Sequence, residues 1–182
     1  MNLALNCLPL LLAGTLLAAP TATAASRPNP PSAESKGRKP KPVNQVRVHV
    51  ENRHDLPERT LPVQVGRSDP MHFTVEKLPI LNEVHIDRAA LLEEGGLFRV
   101  QLRFNRIGAR ILESYSSAAA GRHLLIVTDI DGESRWLAAP VIRQRISDGS
   151  LAFTPDASRE EMERLVRGLN EAIEKRRKRW LN

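Results

Sequence analysis

Five histidines, His49, His54, His72, His85 and His123, are the first side chains in this sequence that could carry chemistry near neutral pH. No pair of them is spaced i, i+4, and none is spaced with carboxylates as a metal site requires, so they are predicted to lie on the surface or flank a sheet. Asp129-x-Asp131-Gly132-Glu133 puts three carboxylates within five residues, a set that could grip calcium through hard oxygens. It lacks the further oxygen ligands and the terminal Glu of a calcium loop, and Asp-Gly is the strongest short hairpin signal, so a turn is predicted. Serine chemistry has no G-x-S-x-G elbow, and Gly149-Ser150 reads as a turn before a strand. Glu93-Glu94, just before Gly95-Gly96, reads as a polar loop; acid/base work would need a partner whose pKa burial pushes apart from theirs. No Gly-rich phosphate loop is present. The residues thus predict no catalytic group, no metal and no cofactor.

The remaining candidate is Trp136, in a strand after the tight turn. It is either a core residue or an exposed anchor for a partner, and core is preferred because a hairpin strand buries one face.

The chain ends frame these elements. Leu8 to Ala19 is apolar except for Pro9, Gly14 and Thr15, and small residues through Ala25 follow, the pattern of a secretory signal peptide cut after Ala24 or Ala25. An uncleaved membrane anchor is the alternative, though the stretch is shorter than the ~20 residues of a span. The single cysteine, Cys7, falls inside this leader, which leaves residues 26–182 without a disulfide or a thiol nucleophile. Residues 26–42 contain five prolines and almost nothing apolar, and predict a disordered, extended linker.

Charge sits at the ends. The linker carries +4 and Lys175-Arg176-Arg177-Lys178-Arg179 carries +5, whereas residues 43–174 hold 17 basic and 20 acidic residues, a net of −3. That argues against nucleic-acid binding, which would place a basic stripe on the domain itself. Residues 175–182 are read as a basic tail, either a solubilising segment or one drawn to anionic lipid head groups or acidic partners.

Between the ends, Val46, Val48 and Val50 alternate with polar residues and predict a half-buried strand. Leu61–Val65 and Met71–Val75 predict extended pieces kept short or at an edge by Pro57, Pro62 and Pro70. Leu91 to Gly96 is read as ending in a turn, followed by a strand through Phe98, Val100, Leu102 and Phe104. Ile107, Ile111, Leu112 and Tyr115 share one helical face, stopped by Gly121. Leu124-Leu125-Ile126-Val127 has no polar alternation and predicts a central strand covered on both sides. After the hairpin, Val141 to Ile146 alternates and predicts a further edge strand. Met162, Leu165, Val166, Leu169 and Ile173 share a face of a last helix beginning after Ser158. Hairpins with two segregated helices predict an α+β fold: an antiparallel or mixed sheet with two main helices packed on one face, in a single domain over residues 43–174.

Several of these joints match a known family in order. Leu78-Pro79-Ile80-Leu81 leading to Val84-x-Ile86, Val100-x-Leu102-x-Phe104, Gly108-Ala109 opening a helix, Gly121-Arg122-His123-Leu124, Asp131-Gly132, Ala139-Pro140-Val141-Ile142, Gly149 and Phe153-Thr154 together resemble the periplasmic head subdomain of SecD and SecDF, the bacterial protein-export factors, over residues 78–172. Val46 to Val75 is similar to the strands preceding this module in small exported stand-alone versions. The chain departs from the family in having Ser116-Ser117-Ala118 where Thr and Asn are usual, and in a shorter segment after Gly149. It has no counterpart of the transmembrane helices and base subdomain, so the proton-driven translocation that the resemblance assigns to the complete factor does not carry over. What the resemblance implies is a head-like module that engages unfolded polypeptide outside the membrane.

Taken together, these features predict a non-enzymatic exported binding module, periplasmic, contacting unfolded exported polypeptides or envelope proteins. Strand addition or packing in an apolar groove would supply the contact, with Phe98, Trp136, Arg143, Arg145 and Ile146 as candidate residues. The alternative is a membrane-surface accessory protein acting through Lys175, Arg176, Arg177, Lys178 and Arg179.

Overall fold

The computed structural model describes residues 45–54, 56–130 and 132–181, all within the unit Lys39–Asn182. The predicted leader and the whole predicted linker lie outside the described residues, as do Asp55, Asp131 and Asn182.

The predicted alternation of Val46, Val48 and Val50 forms β1, Val46–Val50, whose three valines are each at most 2% exposed. β1 pairs antiparallel with β4, Leu81–Asn82, on one side and with β7, Leu124–Ile130, on the other. β8, Glu133–Ala138, closes the sheet by pairing with β7 through a hairpin in which Gly132 adopts φ +92°, a conformation that favours glycine. The β7–β8 hairpin falls where the Asp131-Gly132 dipeptide predicts a turn, Asp131 itself lying outside the described residues. β7 is an inner strand covered on both faces, also as expected: Leu124 and Ile126 enter the main core, and Leu125 enters a smaller one on the opposite face.

That smaller core is capped by a hairpin of β2, Thr60–Val65, and β3, Met71–Glu76. Val63, Val65 and Val75 pack over Leu125, with Phe73, Trp136 and Ala139 partly buried around them.

The other side carries a three-stranded antiparallel sheet of β5 (Ile86–Glu94), β6 (Leu97–Phe104) and β9 (Ser150–Phe153), in that order. β5 corrects the reading of Leu91 to Gly96 as little more than an approach to a turn. Eight of its nine residues pair with β6 up to the Gly95-Gly96 turn, and an irregularity between Ile86 and Arg88 breaks the inside-outside alternation that would have revealed them.

Both helices join the main core. α1, Arg106–Ala118, starts at Asn105, whose side chain accepts hydrogen bonds from the Ile107 and Gly108 amides at 3.1 and 2.9 Å, and it buries Leu112. α2, Arg159–Leu181, starts with reciprocal bonds between Ser158 and Glu161: the Ser158 amide donates to Oε2 of Glu161 at 2.7 Å, and the Glu161 amide donates to Ser158 Oγ at 3.2 Å. It then packs Met162, Leu165, Leu169 and Ile173 inward. The fold is α+β with antiparallel sheets and two helices sharing one core, as expected.

The predicted strand over Val141 to Ile146 does not form. Only Val141 makes a bridge, to His123. The Ile142 amide donates to Arg122 O at 2.7 Å, the Gly121 amide donates to Ile142 O at 2.8 Å, and the Ile146 amide donates to Ser116 Oγ at 2.8 Å. Backbone groups that a ladder would need are taken by the end of α1, so alternation here records a loop pinned by buried Ile142.

Candidate functional site

β9 is the last strand of its sheet, with β6 on one side only. The amide of Phe104 donates to Gly149 O at 2.9 Å, continuing the register in which Leu102 faces Leu151 and Val100 faces Phe153. In an antiparallel ladder hydrogen-bonded and non-hydrogen-bonded pairs alternate, so Leu151 and Phe153 aim their backbone groups at β6, and Ser150 and Ala152 aim theirs away. The Ser150 amide accordingly donates to Asp148 Oδ1, at 3.1 Å. Ala152 turns its N–H and C=O outward into a cleft of about 700 Å³.

Val141, Arg143 and Ile146 belong to one side of this cleft, and Leu151, Ala152 and Phe153 to the other. Val141 is 38% exposed, an apolar surface left open. Gly149 fixes the corner where the two sides meet: its φ is +68°, and a Cβ there would sit 2.8 Å from Cβ of Ala109.

Of the five candidates for polypeptide contact, the structure gathers only Arg143 and Ile146 at this cleft. Arg145 instead donates to Glu113 of α1, its Nε at 2.9 Å. Phe98 is half-buried against the main core. Trp136 packs into the smaller core, edge-on to His49 with ring centroids 5.2 Å apart, as the core reading prefers. An edge strand is present beside a cleft of mixed polar and apolar lining, but the edge is β9, and Ala152 was missed. Its signal was faint: a short Leu-Ala-Phe alternation after Gly149, with nothing local to say which strand ends the sheet.

The residues weighed for catalysis are dispersed. His49 is buried, with Nδ1 2.8 Å from Glu76 O; burial, with a smaller contribution from the Arg47 charge, lowers its pKa against the opposing effect of that hydrogen bond. His123 places Nδ1 2.7 Å from Oε2 of Glu51 and donates its amide to the same oxygen at 2.9 Å. Burial raises the Glu51 carboxyl, but these bonds together with the His123 and Arg53 charges outweigh it and leave the pKa lowered. Asn82 donates its amide to His85 Nδ1, and His72 sits on the hairpin opposite Gln64. Asp129 pairs with Arg47 at 3.4 Å and accepts from Ser134, while Glu93 pairs with Arg159. Among the described residues no three His, Cys, Asp or Glu side chains gather as a metal site would require.

The basic segment is not a separate tail. α2 continues through Leu181 and takes Lys175 to Arg179 with it. Arg176 donates to the carbonyls of Glu83 and Ile86 at 3.0 and 2.8 Å, and Arg177 reaches Asp87 at 3.3 Å. Among the described residues no helix is long and apolar enough to cross a membrane.

Three antiparallel sheets and two helices, joined in the order given, define an α+β module. Residues 58–172 match the SecDF, P1 head subdomain family, and the chain belongs to that family. The match begins at β2 and β3, ahead of the boundary at 78 that the resemblance suggested. The fold is similar to that of a solved structure of SecDF, a membrane component that enhances protein export, with a TM-score of 0.51 and 19% identity over 70% of this chain and 62% of that one. SecDF in its super-membrane-facing form aligns at a TM-score of 0.49 and 21% identity, over 70% of this chain and 18% of that one. The chain thus spans less than two thirds of each of these proteins. A search of curated protein sequences found no match.

Proposed function

We propose that this chain is exported through its leader and acts in the periplasm as a non-enzymatic module of protein export, contacting unfolded exported polypeptides or envelope proteins. Family membership supports the export setting. The observation that carries the contact is the open edge of β9 above a cleft that offers both apolar and polar side chains. An extended polypeptide laid beside β9 would accept a hydrogen bond from the Ala152 amide and donate one to its carbonyl, while alternate side chains enter the space beside Val141 and Ile146. Main-chain pairing is indifferent to side-chain identity, which suits a module that meets many sequences.

Titration of a labelled, permanently unfolded secretory polypeptide tests this reading. Ala152→Pro deletes the outward amide without removing a bond to β6, and Ile146→Asp puts a charge in the cleft. Each is expected to weaken binding by about tenfold or more, with circular dichroism unchanged. Binding equal to wild type in both folded variants would overturn the proposed site.

A further inference from the structure

The inward stripe of α2, Met162, Leu165, Leu169 and Ile173, continues at helical spacing to Arg176 and Trp180. Ile173 is still buried, and Arg176 is still tied to Glu83 and Ile86, but Trp180 is 85% exposed. The helix therefore runs beyond the sheet it packs on and carries a tryptophan out on the face that upstream makes core. Basic residues at a helix C-terminus are explained by the helix dipole alone. An exposed tryptophan among them is not, since it stabilises nothing in the fold and costs apolar surface in water.

Around it, Lys175, Arg177, Lys178 and Arg179 are exposed, and Lys175, Lys178 and Arg179 have no ion pair among the described residues. We propose that this helix end is a docking surface for an anionic phospholipid bilayer, with Trp180 seated at the headgroup level and the basic side chains against lipid phosphates. A tryptophan ring with a polar N–H prefers the membrane interface, and clustered Lys and Arg are drawn to anionic leaflets. Charge complementarity selects this occupant, because residues 43–174 are net negative whereas Lys175 to Arg179 carry +5. β1 lies on the same side of the fold: Arg47 pairs with Asn82, next to the Glu83 carbonyl that Arg176 holds. Docking there leaves the β9 edge and its cleft free for a different partner, because Arg176 and Arg177 hold Ile86 and Asp87 of β5, and β6 separates β5 from β9.

The test uses the full chain and vesicles of pure phosphatidylcholine or of phosphatidylcholine mixed with phosphatidylglycerol, read by sedimentation and tryptophan fluorescence at low and high salt. Neutral vesicles report whatever the apolar leader binds by itself. Wild type should prefer the mixed vesicles at low salt, lose that preference at high salt, and show a blue shift absent from Trp180→Ala. Lys175→Glu with Lys178→Glu and Arg179→Glu should weaken binding to mixed vesicles by about a hundredfold, at roughly fivefold per basic residue, and leave neutral vesicles unaffected. All these side chains are exposed, so the variants fold. Unchanged partition of the triple variant, no blue shift in wild type, or loss of an acidic protein partner without loss of vesicle binding would each overturn the proposal.

Discussion

His49 and Trp136 meet edge to face beneath the β2–β3 hairpin, their ring centroids 5.2 Å apart, with Nδ1 of His49 bonded to the Glu76 carbonyl. One histidine thus fastens the end of the hairpin to the sheet below, and it does so as a neutral ring. Because its folded pKa is lowered from 6.5, chiefly by burial, the unfolded chain takes up the proton more readily. The His49 contribution is complete above the unfolded pKa and is lost as pH falls from about 6.5 towards the lowered folded value. Denaturant midpoints measured down that range should decline in wild type, and His49→Phe should flatten this part of the profile.

Trp136→Ala should cost about 2–3 kcal/mol of stability, because the ring fills the smaller core beside Leu125 and Val75 while remaining half-exposed. Polypeptide binding by the folded variant should be unaltered, since Trp136 lies outside the cleft lining. Paired denaturation and titration curves check both halves of that statement.

Glu161 closes the N-terminus of α2 and takes two bonds from Arg135, at 3.1 and 3.2 Å. The Arg135 hydrogen bonds first, then the Ser158 amide, hold its carboxyl below 4.5 against a smaller effect of burial. Its stabilising effect is present above about pH 4.5 and is lost as pH falls through the lowered value. Glu161→Ala should cost about 1–2 kcal/mol at neutral pH and make acid unfolding less steep, as followed by circular dichroism.

Gly149→Ala combines a φ of +68° with a 2.8 Å contact to Ala109 Cβ. The variant should lose about 1–3 kcal/mol and displace the start of β9, so polypeptide affinity should fall along with stability. By contrast, Gly95→Ala meets nothing within 4 Å and should show only the backbone penalty, with affinity kept.

Local patterns made much of this legible. Val46, Val48 and Val50 marked a strand, the unbroken Leu124 to Val127 run marked an inner one, and Asp131-Gly132 marked the hairpin between β7 and β8. Each is a consequence of neighbours in sequence, where side-chain period and turn chemistry act directly. Val141 to Ile146 carried the same period and formed no strand, because its amides found partners at Arg122 and Ser116 instead of in a ladder. The basic run at 175–179 showed its charge in sequence but not its helix, since the packing of Ile173 and the bonds of Arg176 that support the last turns come from elements some 90 residues away.

The sequence by itself determined the α+β class, the inner position of β7 and the location of charge at the ends, all of which follow from residue type and local spacing. Only the tertiary structure decided that β9 is an open edge, that Ala152 faces the cleft and that Trp180 stands clear of the sheet. Those facts depend on which strands and helices run out of partners, and a missing partner leaves no mark on the residues that lack it.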